Sequence, residues 1–171
     1  MGEKMLRERL MDLVKDWQRK DRSLPSHNEL IAIGEELRQW KEREGIPGLW
    51  GDDRPEMLTA TIDDGMGQGL KIINLYAEVA GLSVVPLGLL LSAETIIDAC
   101  SQRHPSILGL TVLQFDSEDT LTEICRGLPR GVKVVAGGPV FTADPEFAQR
   151  TGVHVVAKNV AYFLEYLITA C

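Results

Sequence analysis

Apolar residues recur along the chain in two rhythms, and the change from one to the other falls near residue 55. In the first fifty residues the spacing is helical: Leu6, Leu10, Leu13, Val14 and Trp17 return every three or four positions, the interval that puts side chains on one helix face. After Leu24-Pro25, Ser26 followed three residues later by Glu29 has the form of a capping box, and a second stripe runs Leu30, Ile33, Leu37, Trp40 until Gly45 and Pro47 stop it. Two such helices bury little by themselves. Their stripes need another surface, either the rest of the chain or a second copy of it, so a homodimer through the N-terminal helices is one expectation.

From Met57 onward, short β-rich runs alternate with helical stretches. Strands are expected at Met57–Ile62, Ser83–Leu87, Ile107–Leu113, Val132–Ala136 and Val153–Val156. Helices are expected near Gly69–Ala80, Ala93–Ser101, Glu118–Arg126, Pro145–Arg150 and Val160–Ala170. This alternation predicts an α/β domain over residues 56–171: a flavodoxin-like (Rossmann-like), doubly wound, five-stranded parallel sheet, preceded by a short helical appendage over residues 1–50. Mostly apolar strands such as Val132–Ala136 suit burial on both faces.

Composition narrows the function classes. The 171 residues are 44% apolar and 25% charged, enough for one core and a modest addition, and the net charge of −7 argues against a nucleic-acid or anionic-membrane binder. The bases of the first helix (Lys4, Arg7, Arg9, Lys15, Arg19, Lys20) are interleaved with Glu3, Glu8, Asp12 and Asp16, which reads as a solvated mixed-charge face. The longest apolar stretch, Val84 to Leu91, is broken by Pro86 and Gly88 and is too short for a bilayer. The N-terminus lacks a signal-peptide core, and Cys100, Cys125 and Cys171 have neither CxxC nor Cys/His spacing. A cytoplasmic protein without a disulfide framework or zinc site is the expectation.

In a doubly wound fold ligands sit outside the carboxyl ends of the strands. The loops expected there are Asp63-Asp64-Gly65-Met66-Gly67-Gln68-Gly69 after the first strand, Gln114 to Ser117 after the third, and Gly137-Gly138-Pro139 after the fourth. The glycine spacing is not GxGxxG, and no acidic residue follows the second strand to hold a ribose, so a dinucleotide site is not expected. The ordered set resembles the corrinoid (cobalamin) binding domains of methionine synthase, the corrinoid methyltransferase carriers and the related mutases. Their signature is DxHxxG, then SxL, then GG. Here Asp64-Gly65-Met66-Gly67-Gln68-Gly69 stands as DxMxxG, Thr111-Val112-Leu113 as TxL, and Gly137-Gly138 as GG. The string Val132 to Val140 is similar to the family's fourth strand and loop, and Gly152 to Ala157 to its last strand.

The resemblance implies a cobalamin or other corrinoid, held by Asp64, Gly65, Met66, Gly67, Gly69, Thr111, Leu113, Phe115, Ser117, Gly137, Gly138, Pro139, Val156 and Ala157. Its nucleotide tail would enter a slot lined by small residues, with the Thr111 hydroxyl toward the buried base, and the corrin would lie over Asp64, Met66, Leu113 and Phe115. Family members with the histidine use it as the lower cobalt ligand, oriented by the Asp and a downstream serine, positions taken here by Asp64 and Ser117. Met66 replaces the ligand. A thioether has no N–H to give Asp64, so the implied cofactor is base-off with no protein axial ligand, presented to a partner methyltransferase or radical enzyme. His27, His104 and His154 all fall away from the carboxyl edge.

Two alternatives stay open: a domain that kept the fold and lost the cofactor, acting as an interaction module, and a phospho-receiver in which Asp63, Asp64, Asp116, Thr142 and Lys158 take the acidic, hydroxyl and lysine parts. No Ser-His-Asp, Cys-His or paired-carboxylate arrangement points to catalysis by the chain alone.

Overall fold

The computed structural model describes residues 1–170; Cys171 lies outside the described residues. A five-stranded parallel sheet is formed by β1 (Glu56–Thr61), β2 (Ser83–Gly88), β3 (Ile107–Thr111), β4 (Lys133–Gly137) and β5 (Val155–Val156), in the order β2-β1-β3-β4-β5. That is the flavodoxin-like order, with the winding direction reversing between β1 and β3. The helices are α1 (Gly2–Trp17), α2 (His27–Arg43), α3 (Gln68–Ala80), α4 (Ala93–Arg103), α5 (Glu118–Gly127), α6 (Pro139–Ala143), α7 (Phe147–Thr151) and α8 (Val160–Ala170). The chain divides into two compact units.

One unit comprises Glu56–Leu70 and Val84–Lys158 and contains nearly all of the sheet. Side chains alternate across a strand. Leu58 and Ala60 of β1, Leu108 and Leu110 of β3, and Val134 and Ala136 of β4 therefore share one face, where they form a core with Ile96 and Cys100 of α4 and Leu121 and Ile124 of α5. Met57, Thr59 and Thr61 take the opposite face, and the register places Thr59 beside Gly109 and Thr61 beside Thr111, which in turn sits beside Gly137. The amino ends of β1 and α4's last turn are tied by Arg103, whose guanidinium donates twice to Glu56 (2.8 and 2.7 Å) and holds that carboxyl below its ordinary range.

The expected elements are present with shifted bounds: β5, expected over Val153–Val156, is only Val155–Val156, and β4 runs one residue later than expected, at Lys133–Gly137. Three further differences have a visible cause. Strand β3 stops at Thr111 rather than Leu113: the Val112 amide still reaches the Gly137 carbonyl (2.9 Å), but the Leu113 and Gln114 amides turn to a side chain described below. Pro139 starts a short helix in what reads as a loop, its fixed φ and missing N–H suiting the first helical position. α7 begins at Phe147 rather than Pro145, after the Asp144 carboxylate accepts the Glu146 amide (3.1 Å).

The other unit comprises Met1–Pro55, Lys71–Ser83 and the segment from Asn159 onward, so most of α3 and all of α8 group with the N-terminal helices. Ser26 caps α2, accepting from the Glu29 amide (3.2 Å) while its hydroxyl donates to the Glu29 carboxylate (3.0 Å). The stripe Leu6, Leu10, Val14 and Trp17 is buried within the single chain, as are Leu30 and Leu37. Ile33 and Trp40 are only half-buried; Gly34 and Lys41 occupy the buried positions instead. Gly34 is required there because a Cβ would stand 2.5 Å from Leu75 of α3. The Tyr76 hydroxyl of α3 donates to the Leu30 carbonyl (2.7 Å), Trp17 meets the Tyr76 ring edge-on, and Lys41 donates to the Glu78 carbonyl (2.9 Å) with burial pulling its pKa down. Most of the stripe residues that suggested a dimer (Leu6, Leu10, Val14, Trp17, Leu30 and Leu37) are thus buried inside the chain, while Leu13, Ile33 and Trp40 stay half-buried.

Backbones also touch in this unit: a Cβ on Gly81 would lie 2.6 Å from the Gly48 Cα, and Gly81 has φ +111°. Gly81→Ala is expected to cost about 2–4 kcal/mol in urea unfolding, combining strain and backbone clash. Glu56→Gln should flatten the acid limb of the stability profile. The folded pKa of Glu56 is lowered, so its contribution is present above the unfolded carboxylate pKa and is lost as pH falls through the folded value.

Candidate functional site

The reversal between β1 and β3 leaves a crevice at the carboxyl ends of those strands, and one side chain spans it. Asp63, two residues past β1, accepts the amide of Leu113 on both oxygens (2.9 and 3.1 Å), the amide of Gln114 (2.9 Å) and the hydroxyl of Ser117 (2.8 Å). The loop after β3 therefore folds back onto the loop after β1 through a single carboxylate. It turns through a 3-10 segment at Phe115–Ser117 and leads directly into α5.

Asp64 has a different task. It is buried, its Oδ1 accepts the Met66 amide (2.8 Å), and its own carbonyl accepts the Thr61 hydroxyl. The relay expected between Asp64 and Ser117 is not assembled, since Ser117 gives its hydroxyl to Asp63. Thr61 serves as a second tie, its Oγ1 accepting the Leu90 amide (3.0 Å) and its carbonyl the Leu91 amide (2.9 Å). These bonds hold Leu90 at φ +55°, a conformation uncommon for a non-glycine residue.

Above the first loop lie leucines from the loop after β2. A Cβ on Gly67 would sit 2.9 Å from Leu89, and one on Gly65 3.5 Å from Leu90; Gly67 also has φ +69°. Gly69, by contrast, has nothing within 4 Å of a built Cβ. Met66 is 76% exposed, Phe115 54% and Leu113 38%, and Leu89 and Leu90 join them among the exposed large apolar side chains. A domain that concentrates such residues in three neighbouring loops has a surface suited to an apolar ligand face or a partner. Phe115 is backed edge-on by the buried Phe147, which meets Phe141 in the same way.

The fourth loop is more constrained than its sequence suggests. A Cβ on Gly138, which has φ +131°, would fall 1.9 Å from the Val112 carbonyl oxygen, and one on Gly137 would fall 2.7 Å from the Ala157 carbonyl oxygen. The glycine pair is demanded by the chain's own backbone, so a bulky residue at Gly138 disturbs the fold and not merely a ligand slot. Pro139 opens α6; Val156 pairs with Ala136 in β5, and the Ala157 amide continues the ladder to the Ala136 carbonyl (2.9 Å). Thr111 is half-buried, level with Gly137 on its neighbour.

The histidines have structural positions away from these loops: His27 is the first residue of α2, His104 caps α4 at φ +47°, and the His154 Nδ1 accepts the Val134 amide (2.9 Å). Among the described residues no three His, Cys, Asp or Glu side chains gather as metal ligands. Burial pushes the Cys100 and Cys125 thiols up to about 11, so neither is a thiolate at neutral pH. An open groove lined by Ile62, Leu90, Leu91, Ser92, Glu94, Thr120 and Glu123 lies between α4 and α5. None of these is a residue the sequence selects for the site. Asp63, Thr61 and Leu89-Leu90 were likewise not selected for it, although the double Asp63-Asp64 was a visible signal. No helix of the described residues is long and apolar enough to cross a membrane.

Comparison with known proteins gives a consistent result. The family described as B12 binding domain matches residues 59–165. The HTH-type transcriptional repressor CarH of Myxococcus xanthus is 29% identical over 119 residues, 67% of this chain but only 36% of that protein. Among solved structures, a cobalamin-binding protein from Desulfitobacterium hafniense DCB-2 superposes with a TM-score of 0.80 at 23% identity, covering 96% of this chain and 80% of that one. The monomethylamine corrinoid protein of Methanosarcina barkeri gives 0.65 at 16% identity, covering 84% and 66%. The methanol:cobalamin methyltransferase complex MtaBC of the same organism gives 0.56 at 18% identity, covering 68% and 47%.

Removing the Asp63 carboxylate should have a local and measurable effect. Asp63→Ala is expected to cost about 1–3 kcal/mol by denaturant unfolding and to speed hydrogen exchange at the Leu113 and Gln114 amides, whereas Ser117→Ala, losing one bond, should cost about 1 kcal/mol.

Proposed function

Because the chain belongs to the B12-binding domain family, we propose that it binds cobalamin or another corrinoid base-off and without a protein axial ligand, and presents it to a partner methyltransferase or radical enzyme. The observation that carries the absence of a ligand is the disposition of the two aspartates. Asp64 is spent on the backbone of Met66, and Ser117 on Asp63, so nothing beside position 66 would orient or polarise a cobalt ligand there. Met66 offers a soft, neutral thioether that extends into solvent.

The residues fit such a group on a separate ground. Thr59 Oγ1 is buried without a hydrogen-bond partner, on the same sheet face as the half-buried Thr111. A ligand that brings polar atoms to that face would relieve the cost of the orphan. When bound, the corrinoid would supply a cobalt centre for carrying an alkyl group or an electron. The chain's own part is to hold it: Asp63 and Thr61 fix the loops, and Met66, Leu113 and Phe115 provide apolar contact at the edge. Presentation, rather than catalysis by the chain alone, accords with the exposed edge, and a reducing cytoplasm with the free, un-ionised thiols of Cys100 and Cys125.

Mixing the protein with hydroxocobalamin, desalting, and recording the visible spectrum should leave pigment on the protein; a colourless product would sink the reading in favour of a domain that lost its cofactor. In the Co(II) state, electron paramagnetic resonance is expected to lack nitrogen splitting from a protein imidazole or from the cofactor's own base. Met66→Leu should change neither the spectrum nor the affinity by more than about twofold, and a spectral shift would reveal sulfur ligation.

A further inference from the structure

Among the described residues, only two buried side-chain polar atoms lack a partner, and Thr59 Oγ1 belongs to a residue with 0% exposure. A buried hydroxyl normally finds an acceptor, because leaving one unmade forfeits its hydration with nothing in return. A strand offers many apolar residues of the same shape, valine above all. Keeping threonine at the centre of β1 is therefore a cost without a folding benefit. Thr61, on the same face, shows the contrast: its hydroxyl both donates and accepts.

The surroundings of Thr59 can yield. Its neighbour across the ladder is Gly109, and the space that a Cβ there would fill is taken by the terminal methyl of Met57 (2.5 Å) and the methyl of Thr59 itself (3.4 Å). The end of a methionine is the most readily displaced part of a packed core. Thr59 stands one pleat repeat, about 6.6 Å, further from the carboxyl edge than the rung of Thr61 and Thr111.

Resting on the reading that a corrinoid binds here, we infer that Thr59 selects the lower base of the corrinoid: its hydroxyl pairs with a polar group on the base's far edge. A base with a ring nitrogen, amine or hydroxyl there, such as adenine, satisfies the orphan. The two methyl groups of dimethylbenzimidazole do not. Thr111, nearer the edge, remains for the near side of the same base. A site built to hydrogen-bond a ligand discriminates strongly against an analogue lacking the group, because the buried hydroxyl is then left as it was.

The test uses three pure ligands, an adenine-based cobamide, cobalamin and base-free cobinamide, with dissociation constants measured by equilibrium dialysis for wild type, Thr59→Val and Thr59→Ser. Wild type should prefer the adenine-based cobamide to cobalamin by about tenfold. Thr59→Val should erase that preference and leave cobinamide unchanged, while Thr59→Ser keeps it. The ligand-free Thr59→Val protein should melt higher than wild type by about 2–5 °C, since the orphan is gone and the shape is kept. Binding of all three ligands without preference, or equal losses for all three in Thr59→Val, would overturn the role of Thr59 while leaving corrinoid binding intact. Failure of wild type to bind any of them would instead overturn the corrinoid reading itself, and the inference with it.

Discussion

The carboxylate of Asp63 is the interaction on which the carboxyl edge depends. A doubly wound sheet necessarily parts its loops where the winding reverses, and that parting is what makes room for a ligand. Here the parted loops are rejoined by one side chain that accepts two amides and a hydroxyl from the far side. Because the Leu113 and Gln114 amides are claimed, the ladder does not continue past the Val112 amide, and the chain turns tightly enough for α5 to begin at Glu118. Phe115 is carried outward by the same turn, with Phe147 behind it. The carboxylate also removes Ser117 from any partnership with Asp64, which is why the first loop keeps its own local geometry.

A second constraint is close backbone approach. Gly138 against the Val112 carbonyl and Gly81 against Gly48 are contacts that no side chain could survive, and each joins a turn to the end of another segment within its own unit. These glycines belong to the folding problem. The position of Gly138 near the carboxyl edge does not by itself make it a ligand contact, and the motif that contains Gly137-Gly138 is satisfied by the strand ladder before any ligand is considered.

Membership of the B12-binding family is shown by residues 59–165, and the proposal that a corrinoid is held by its surroundings rather than by a protein bond to cobalt rests on the arrangement of Asp63, Asp64 and Met66. In that reading the free energy of holding the group falls to apolar contact at the edge and to hydrogen bonds on the sheet face below. Thr59, whose buried hydroxyl has no hydrogen-bond partner in the chain, is the residue on that face to which the proposal assigns such a bond.

Much was legible in the sequence, and for definite reasons. Periodicity gave the sheet and its order of elements, because alternation of apolar strands with amphipathic helices admits few topologies. Ser26 and Glu29 announced the start of α2, because a capping box is a local interaction. The motif pieces at Asp64, Thr111 and Gly137 marked the right family, because their spacing follows the strands that carry them. What escaped were contacts between residues far apart in the chain. Nothing local distinguishes Asp63 from Asp64 as the partner of Ser117, 54 residues on. Nothing local says that Gly34 and Lys41 face inward on α2 while Ile33 and Trp40 stay at its margin. Whether the N-terminal stripes meet this chain or another, and whether the Thr59 hydroxyl finds a partner, depend on which surfaces arrive opposite them. Periodicity determines which face of an element is apolar; only the tertiary structure decides what that face meets.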